Sequence, residues 1–222
     1  MLLAIDTSTK MIGIALYREE RVIGEMTWVS QNHHTVELGP AIDELISKSG
    51  FSTNELAAIG IAIGPGSFTG LRIGLAFAKG LALSLPISLI GIPSLDIIAS
   101  LQPIGGYKLA AILESGRKRF AVGWYKVVLD HWEQVGNYEN LTILELRQKI
   151  HSPTLICGEL TKESRRILAR RYKNVIIPSP ANCVRRPAIL AELAWRKFVA
   201  GQIDDPATLA PIYLHYGVPI PE

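Results

Sequence analysis

Two short stretches of this 222-residue chain carry the residue types that handle phosphate or a cation. The first is Asp6-Thr7-Ser8-Thr9. A carboxylate beside three hydroxyls, at the tip of a strand-to-strand turn, can hold a phosphate-bound cation or the phosphate itself. The same residue types also serve ordinary turns, where their side chains cap backbone groups. The second stretch is Gly64-Pro65-Gly66-Ser67-Phe68-Thr69-Gly70. Its glycines permit a tight turn after an apolar strand, and Ser67 and Thr69 fall at the start of a long helix, where free N–H groups attract anions. It is not a P-loop, because no Gly-Lys-Ser/Thr follows and Arg72 is the first cation. A plain strand-to-helix turn would need the same glycines. Asp6, Thr7, Ser8, Gly64, Gly66, Ser67 and Thr69 are the candidate phosphate or nucleotide contacts.

Other chemistry finds no constellation. His33 and His34 are adjacent and so point in different directions; a helical ligand pair is spaced four apart, where Glu37 and Leu38 stand instead. Cys157 and Cys183 have no Cys or His at zinc-ligand spacing and no thiol-protease signature. No Gly-x-Ser-x-Gly elbow is present. The expectation is no catalytic set, no metal site and no cofactor.

The elements that must position these residues read as α/β. LLAIDTS is a short buried strand, and MIGIALYREERVIGEMTWV is two strands around the charged turn 18–21. Val36, Leu38, Ile42, Leu45 and Ile46 recur at helical spacing over 34–48, and Gly50 ends that segment. AAIGIAI (57–63) is a buried strand, and a helix over 68–85 stops at Pro86. ISLIG is a further strand, and Ser94 is placed to cap the next helix. At Lys108 the pattern restarts: two strands around Gly116-Arg117-Lys118, a helix (142–150), a strand, a basic helix (161–171), a strand and a helix (187–200). One βββαβα unit occurs fully and then in reduced form, so two similar lobes are expected, 1–105 and 106–222.

The helix over 71–85 has small residues on several faces and Leu71, Leu75, Phe77 and Leu81 as bulk. A helix apolar nearly all round is buried on two sides. One side is its own sheet; the other suits a partner protein. Leu38, Ile42 and Leu45 of the earlier helix, with Leu71, Arg72, Leu75 and Ala78 of this one, are the candidate interface.

Composition sets the class. Hydrophobic residues are 48% and charged residues 19%, which excludes general disorder, and two cysteines exclude a disulfide scaffold. No basic region precedes an apolar run at MLLAIDTSTK, and apolar stretches break well short of the ~20 residues a membrane helix needs. A cytoplasmic protein with reduced thiols is expected. Residues 1–110 carry 7 Lys and Arg against 9 Asp and Glu, whereas 111–222 carry 16 against 11. The excess lies in Arg117, Lys118 and Arg119, in Arg165, Arg166, Arg170, Arg171 and Lys173, and in Arg185 and Arg186. That balance suits an RNA or phosphate partner, and equally a solvated basic face.

LAIDTSTKMIGIALY, NHHTVELGPAIDELI and IGIAIGPGSFTGLRIGLAFAKGLALSLPISLIGIPSLDIIAS resemble the bacterial TsaB (YeaZ) family, GPGSFTGLRIG…AKGLA being the most specific run. The resemblance is good over about residues 1–100, looser through 108–200, where Glu114-Ser115-Gly116-Arg117 replaces an Asp-Ala-Arg-type turn, and returns at LAPIYL. It implies an actin-like, sugar-kinase-like (ASKHA) fold of two lobes. It implies a non-catalytic partner of TsaD, the enzyme that transfers threonylcarbamoyl to the adenosine beside the anticodon of tRNAs reading codons that begin with A. TsaE, an ATPase, is implied as a further member of the assembly, and a homodimer as the state without TsaD. In TsaD the segment matching Gly91-Ile92-Pro93-Ser94-Leu95-Asp96-Ile97-Ile98 holds a metal through two histidines; Ser94 and Ile98 stand at those places here, and neither holds a transition metal. Any nucleotide site at Asp6 and the glycine loop would then be vestigial. The alternative is an ASKHA-type phosphotransferase or ATPase using Asp6 and the 64–70 loop. A contact with tRNA, indirect or through the basic C-terminal half, is a further expectation.

Overall fold

The computed structural model describes residues 1–31, 34–170 and 173–214. The chain divides into two units, one made of Met1–Ile97 with Arg185–Ile212, the other containing Ile98–Val184.

The first unit is built on β1 (Leu2–Asp6), β2 (Met11–Arg18), β3 (Arg21–Val29), α1 (His34–Ser49), β4 (Ala58–Gly64), α2 (Phe68–Ser84) and β5 (Ser88–Pro93), after which α3 (Ser94–Ser100) begins. The sheet order is β3-β2-β1-β4-β5. β1 runs antiparallel to β2, pairing Ile5 with Ile14, and parallel to β4, pairing Ile5 with Ile61. β1 and β4 are central and covered on both faces, which is why LLAID and AIGIAIG read as unbroken apolar runs. The β2–β3 hairpin turns on Glu19 and Glu20, both at positive φ (48° and 67°), the backbone that a two-residue hairpin turn requires.

Successive side chains of a strand point to opposite faces, so each face needs its own cover. Leu3, Ile5, Ile12, Ile14, Ile59 and Ile61 pack under α1 and α2, against Leu38, Ile42, Leu45, Ile46, Leu75, Ala78 and Ala82.

The second unit repeats the plan with β6 (Lys108–Gly116), β7 (Arg119–Val128), β8 (His131–Thr142), α4 (Ile143–Gln148), β9 (Thr154–Gly158), α5 (Lys162–Ala169) and β10 (Val175–Ile176). Its order, β10-β9-β6-β7-β8, is that of the first sheet strand for strand. The reduction lies in the helices: α4 has 6 residues where α1 has 16, and α5 has 8 where α2 has 17. So short a helix as α4 depends on its cap. Thr142 Oγ1 accepts from Glu145 N at 3.2 Å while Glu145 Oε2 accepts from Thr142 N at 2.6 Å, a reciprocal capping box. The core here is Ala110, Ile112, Phe120, Val122, Leu141, Leu146, Ile150, Ile156 and Leu168.

One expectation is corrected. The sequence places everything from 106 onward in the second lobe, but α6 (Pro187–Val199) belongs to the first unit. The other face of the first sheet, with Leu2, Ala4, Ala15, Ala58, Ala62, Ile90 and Ile92, is met from the first half of the chain by Ile97 of the short α3. Leu190, Ala191 and Ala194 of α6 close it. The approach is tight: a Cβ on Gly60 would sit 2.6 Å from that of Ala194. On β3, Glu25 accepts from Arg186 and from the backbone N–H of Ala188, fixing the start of α6. The chain then runs along the β5 edge, where Asp204 N donates to Leu89 O at 2.9 Å and Gly91 N donates to Asp204 Oδ2 at 2.8 Å. Ile212 N reaches Ile63 O at 2.7 Å. Among the described residues no helix is long and apolar enough to cross a membrane.

Candidate functional site

The turn after β1 and the loop before α2 are locked together. Thr7 Oγ1 donates to Gly70 O at 2.8 Å, and Ser67 N donates to Ser8 O at 2.6 Å. Ser67 Oγ caps α2 by accepting from Gly70 N at 3.3 Å. Position 74 must lack a side chain, because a Cβ there would collide with Thr7 Oγ1. Ser8 Oγ lies 2.6 Å from Ser94 Oγ, which also accepts from Gly64 N at 3.1 Å.

Asp6 closes this network. Its Oδ1 accepts from Ser8 N at 2.8 Å, and its Oδ2 accepts from Arg185 Nε at 2.8 Å. Arg185 Nη2 goes on to Thr9 Oγ1 at 2.9 Å and Met11 O at 3.0 Å. Both side chains of the ion pair are buried, Arg185 1% and Asp6 3% exposed. Thus the carboxylate that a phosphate-bound cation would need is met by a guanidinium of the same chain. Thr7 and Ser8 are buried with their polar groups used internally; Ser67 and Thr69 stay exposed. Asp6, Thr7, Ser8 and Ser67 thus make the turn and cap hydrogen bonds that compete with phosphate binding in the sequence.

Ser94 is part of the hydroxyl chain above, and Ile98 is buried. Among the described residues no group of three or more His, Cys, Asp or Glu is placed to hold a metal ion. His33 lies outside the described residues. Cys157 and Cys183 are free and buried, and burial pushes the Cys157 thiol well above its ordinary value.

α1 and α2 form the other candidate site, and here the interface residues named from sequence need correction. Leu38, Ile42, Leu45, Leu75 and Ala78 are buried in the chain's own core, and Leu71 is buried with them. The reason is rotational: the contact of Gly74 with Thr7 turns the Leu71, Leu75, Ala78 and Ala82 face of α2 inward. Arg72 alone of that set is exposed, its guanidinium 4.1 Å from the centre of the Phe68 ring. The outward face is Arg72, Ile73, Ala76 and Phe77, which with Thr35 and Leu38 line an open groove of about 370 Å³ between the two helices. Beside it Val36 is 66% and Phe68 53% exposed. Ile73, Ala76 and Phe77 escape a sequence reading because α2 is apolar on both sides, and only a tertiary contact tells them apart from Leu71 and Leu75.

The comparisons with known proteins agree with one another. A family model for TsaD, described as tRNA N6-adenosine threonylcarbamoyltransferase, matches residues 22–148. The tRNA threonylcarbamoyladenosine biosynthesis protein TsaB of Bacillus subtilis is 32% identical over 217 residues, 96% of this chain and 93% of that protein. The protein of the same name from Haemophilus influenzae is 40% identical over 99 residues, 44% of this chain and 41% of its own length. Among solved structures, YeaZ from Pseudomonas aeruginosa matches with a TM-score of 0.79 at 23% identity, over 96% of this chain and 99% of that one. The ethanolamine utilization protein EutJ from Carboxydothermus hydrogenoformans matches with a TM-score of 0.51 at 14% identity, over 85% and 88%. At these identities the structural likenesses concern the fold, which is the two-lobed α/β fold of ASKHA type.

Proposed function

The chain belongs to the TsaB family, within the group that the TsaD model describes, and takes part in threonylcarbamoyladenosine biosynthesis in tRNA; from there we propose that it is a non-catalytic subunit that binds TsaD through the outer faces of α1 and α2. TsaE joins the assembly, which works in the cytoplasm. Without TsaD the same groove closes on a second copy about a two-fold axis.

The observation that carries this reading is the groove itself. A small open patch of Ile73, Ala76 and Phe77, bordered by Val36 and Phe68, is apolar surface that water does not favour, and Ala76 lets a second helix come close. Aromatic and arginine anchors of the Phe68 and Arg72 kind are the types that dominate binding energy. The inward commitment of Asp6 to Arg185 weighs against the phosphotransferase alternative.

The test is co-purification of the full chain with the TsaD of the same cell, followed by assay of threonylcarbamoyladenosine in tRNA by nucleoside mass spectrometry. TsaD should be retained and its yield of modified tRNA raised. Ala76→Glu, on the outer face, should fold and lose both. A folded Ala76→Glu protein that holds TsaD at wild-type strength defeats the groove assignment; a chain that leaves the yield unchanged defeats the subunit role.

A further inference from the structure

In the basic half Arg185 pairs with Asp6, Arg186 with Glu25, Arg119 with Glu145, Lys149 with Glu139 and Arg196 with Glu192. The segment around α5 gathers more of the cations than any of these. From Lys162 to Lys173 the chain has six Lys and Arg against Glu163 alone. Lys162, Arg166 and Arg170 recur every fourth residue, so they stand on one face about 6 Å apart along the helix axis. All three are exposed, as is Lys173, while Ser164 and Leu168 face the core. None of the four has a carboxylate partner among the described residues. Arg165 is held to the fold by its bond to Pro178 O at 2.7 Å, and Arg171 lies outside the described residues. On the neighbouring helix α4, Arg147 adds a cation whose buried Nε has no acceptor among the described residues.

Like charges one turn apart on a helix repel and destabilise it. Here Lys162 and Arg166 stand on a helix of 8 residues and Arg170 is its C-cap, and among the described residues none of the three is paired with a carboxylate. A row of cations spaced like this, without an apolar centre, fits a ligand with regularly repeated negative charge. An acidic protein face would instead be expected to bring an apolar core ringed by charge. We propose that the exposed face of α5 binds the phosphate backbone of the tRNA that the complex modifies. This rests on the reading that the chain works on tRNA with a partner. The contact is to backbone phosphates, so it positions the RNA and carries no sequence preference.

Replacing Lys162, Arg166 and Arg170 together by Gln tests it. Thermal melting verifies the fold, and Lys108→Gln with Lys126→Gln serves as a control that removes exposed charge from the same unit off this face. Labelled tRNA is titrated against the isolated chain and against its complex with TsaD, from 50 to 200 mM salt. Each phosphate contact contributes about 0.7–0.9 to the slope of log affinity on log salt. The triple variant should lose a slope of about 2–3, so the wild-type affinity should fall roughly 20–40-fold further than the variant's over that range. Binding to TsaD should not change. Wild-type tRNA affinity and slope in the triple variant overturn the proposal. So does an equal loss in the control, which would make the effect one of net charge, and so does a loss of TsaD binding with tRNA affinity kept, which would assign the face to an acidic protein. Measuring the isolated chain keeps the RNA result separate from any failure to bind TsaD.

Discussion

Arg185 and Asp6 form a buried ion pair at 2.8 Å although 179 residues separate them in the chain. It ties the segment leading into α6 to the end of β1. Removing one partner leaves the other charge buried and unpaired, which costs about 3–5 kcal/mol. Arg185→Met should lower the unfolding free energy by that amount in urea. Asp6→Asn combined with Arg185→Met should lose clearly less than the single change. A double variant no better than Arg185→Met would mean the pair is not the source of the loss.

Gly74 lies against Thr7. Alanine normally favours a helix over glycine by about 1 kcal/mol, yet Gly74→Ala drives a methyl into Thr7 Oγ1. The collision should win, with a net loss of about 1–3 kcal/mol. Thr7→Ala in the same chain should recover part of it, read as non-additivity in a double-mutant cycle. A Gly74→Ala protein more stable than wild type would refute the contact.

The two sides of α2 should respond in opposite ways. Leu75→Glu and Ile42→Glu bury an unpaired charge in the core and should abolish the cooperative melt. Ala76→Glu, at an exposed position, should stay within about 0.5 kcal/mol of wild type. Circular dichroism melts of the three decide the matter: a folded Leu75→Glu protein would contradict the rotation of the helix described above.

Glu145 makes stability depend on acid pH. The backbone N–H of Thr142, then its side chain, hold the Glu145 carboxyl below its ordinary value, with Arg119 and Lys149 adding to the effect. A depressed carboxyl contributes stability above its unfolded value, about 4.5, and that contribution disappears as pH falls through the lower folded value. Melting temperature measured from pH 6 to pH 3 should therefore fall more steeply for wild type than for Glu145→Gln. Parallel curves would show that the cap does not titrate.

The sequence and the structure agree where information is local. The change of hydrophobic period marks α1 and α2, and the βββαβα repeat appears as two sheets of identical strand order. What escapes the sequence depends on distant partners. Arg185 and Arg186 look like one more basic run, because nothing near them announces Asp6 or Glu25. α6 looks like the end of the second lobe because it follows it in the chain, and only the other face of the first sheet claims it. Leu75 and Ala76 are neighbours in an apolar run, and their opposite roles depend on how Gly74 meets Thr7.

The split first unit also imposes a timetable on synthesis. When Ile97 leaves the ribosome, the strands of the first sheet exist but the helix that covers Leu2, Ala4 and Ala15 has not been made. At about 5–20 residues per second, roughly 4–18 s pass before Arg185 arrives. Meanwhile the second unit has all its strands and is free to fold first. During that interval the nascent chain shows an uncovered apolar sheet face, the kind of surface that chaperones hold and that aggregates at high expression. Ribosome-stalled chains ending after residue 184 should be cut by protease within β1 or β4, and chains extended past Ile212 should resist; equal resistance in both would show that the sheet closes without α6.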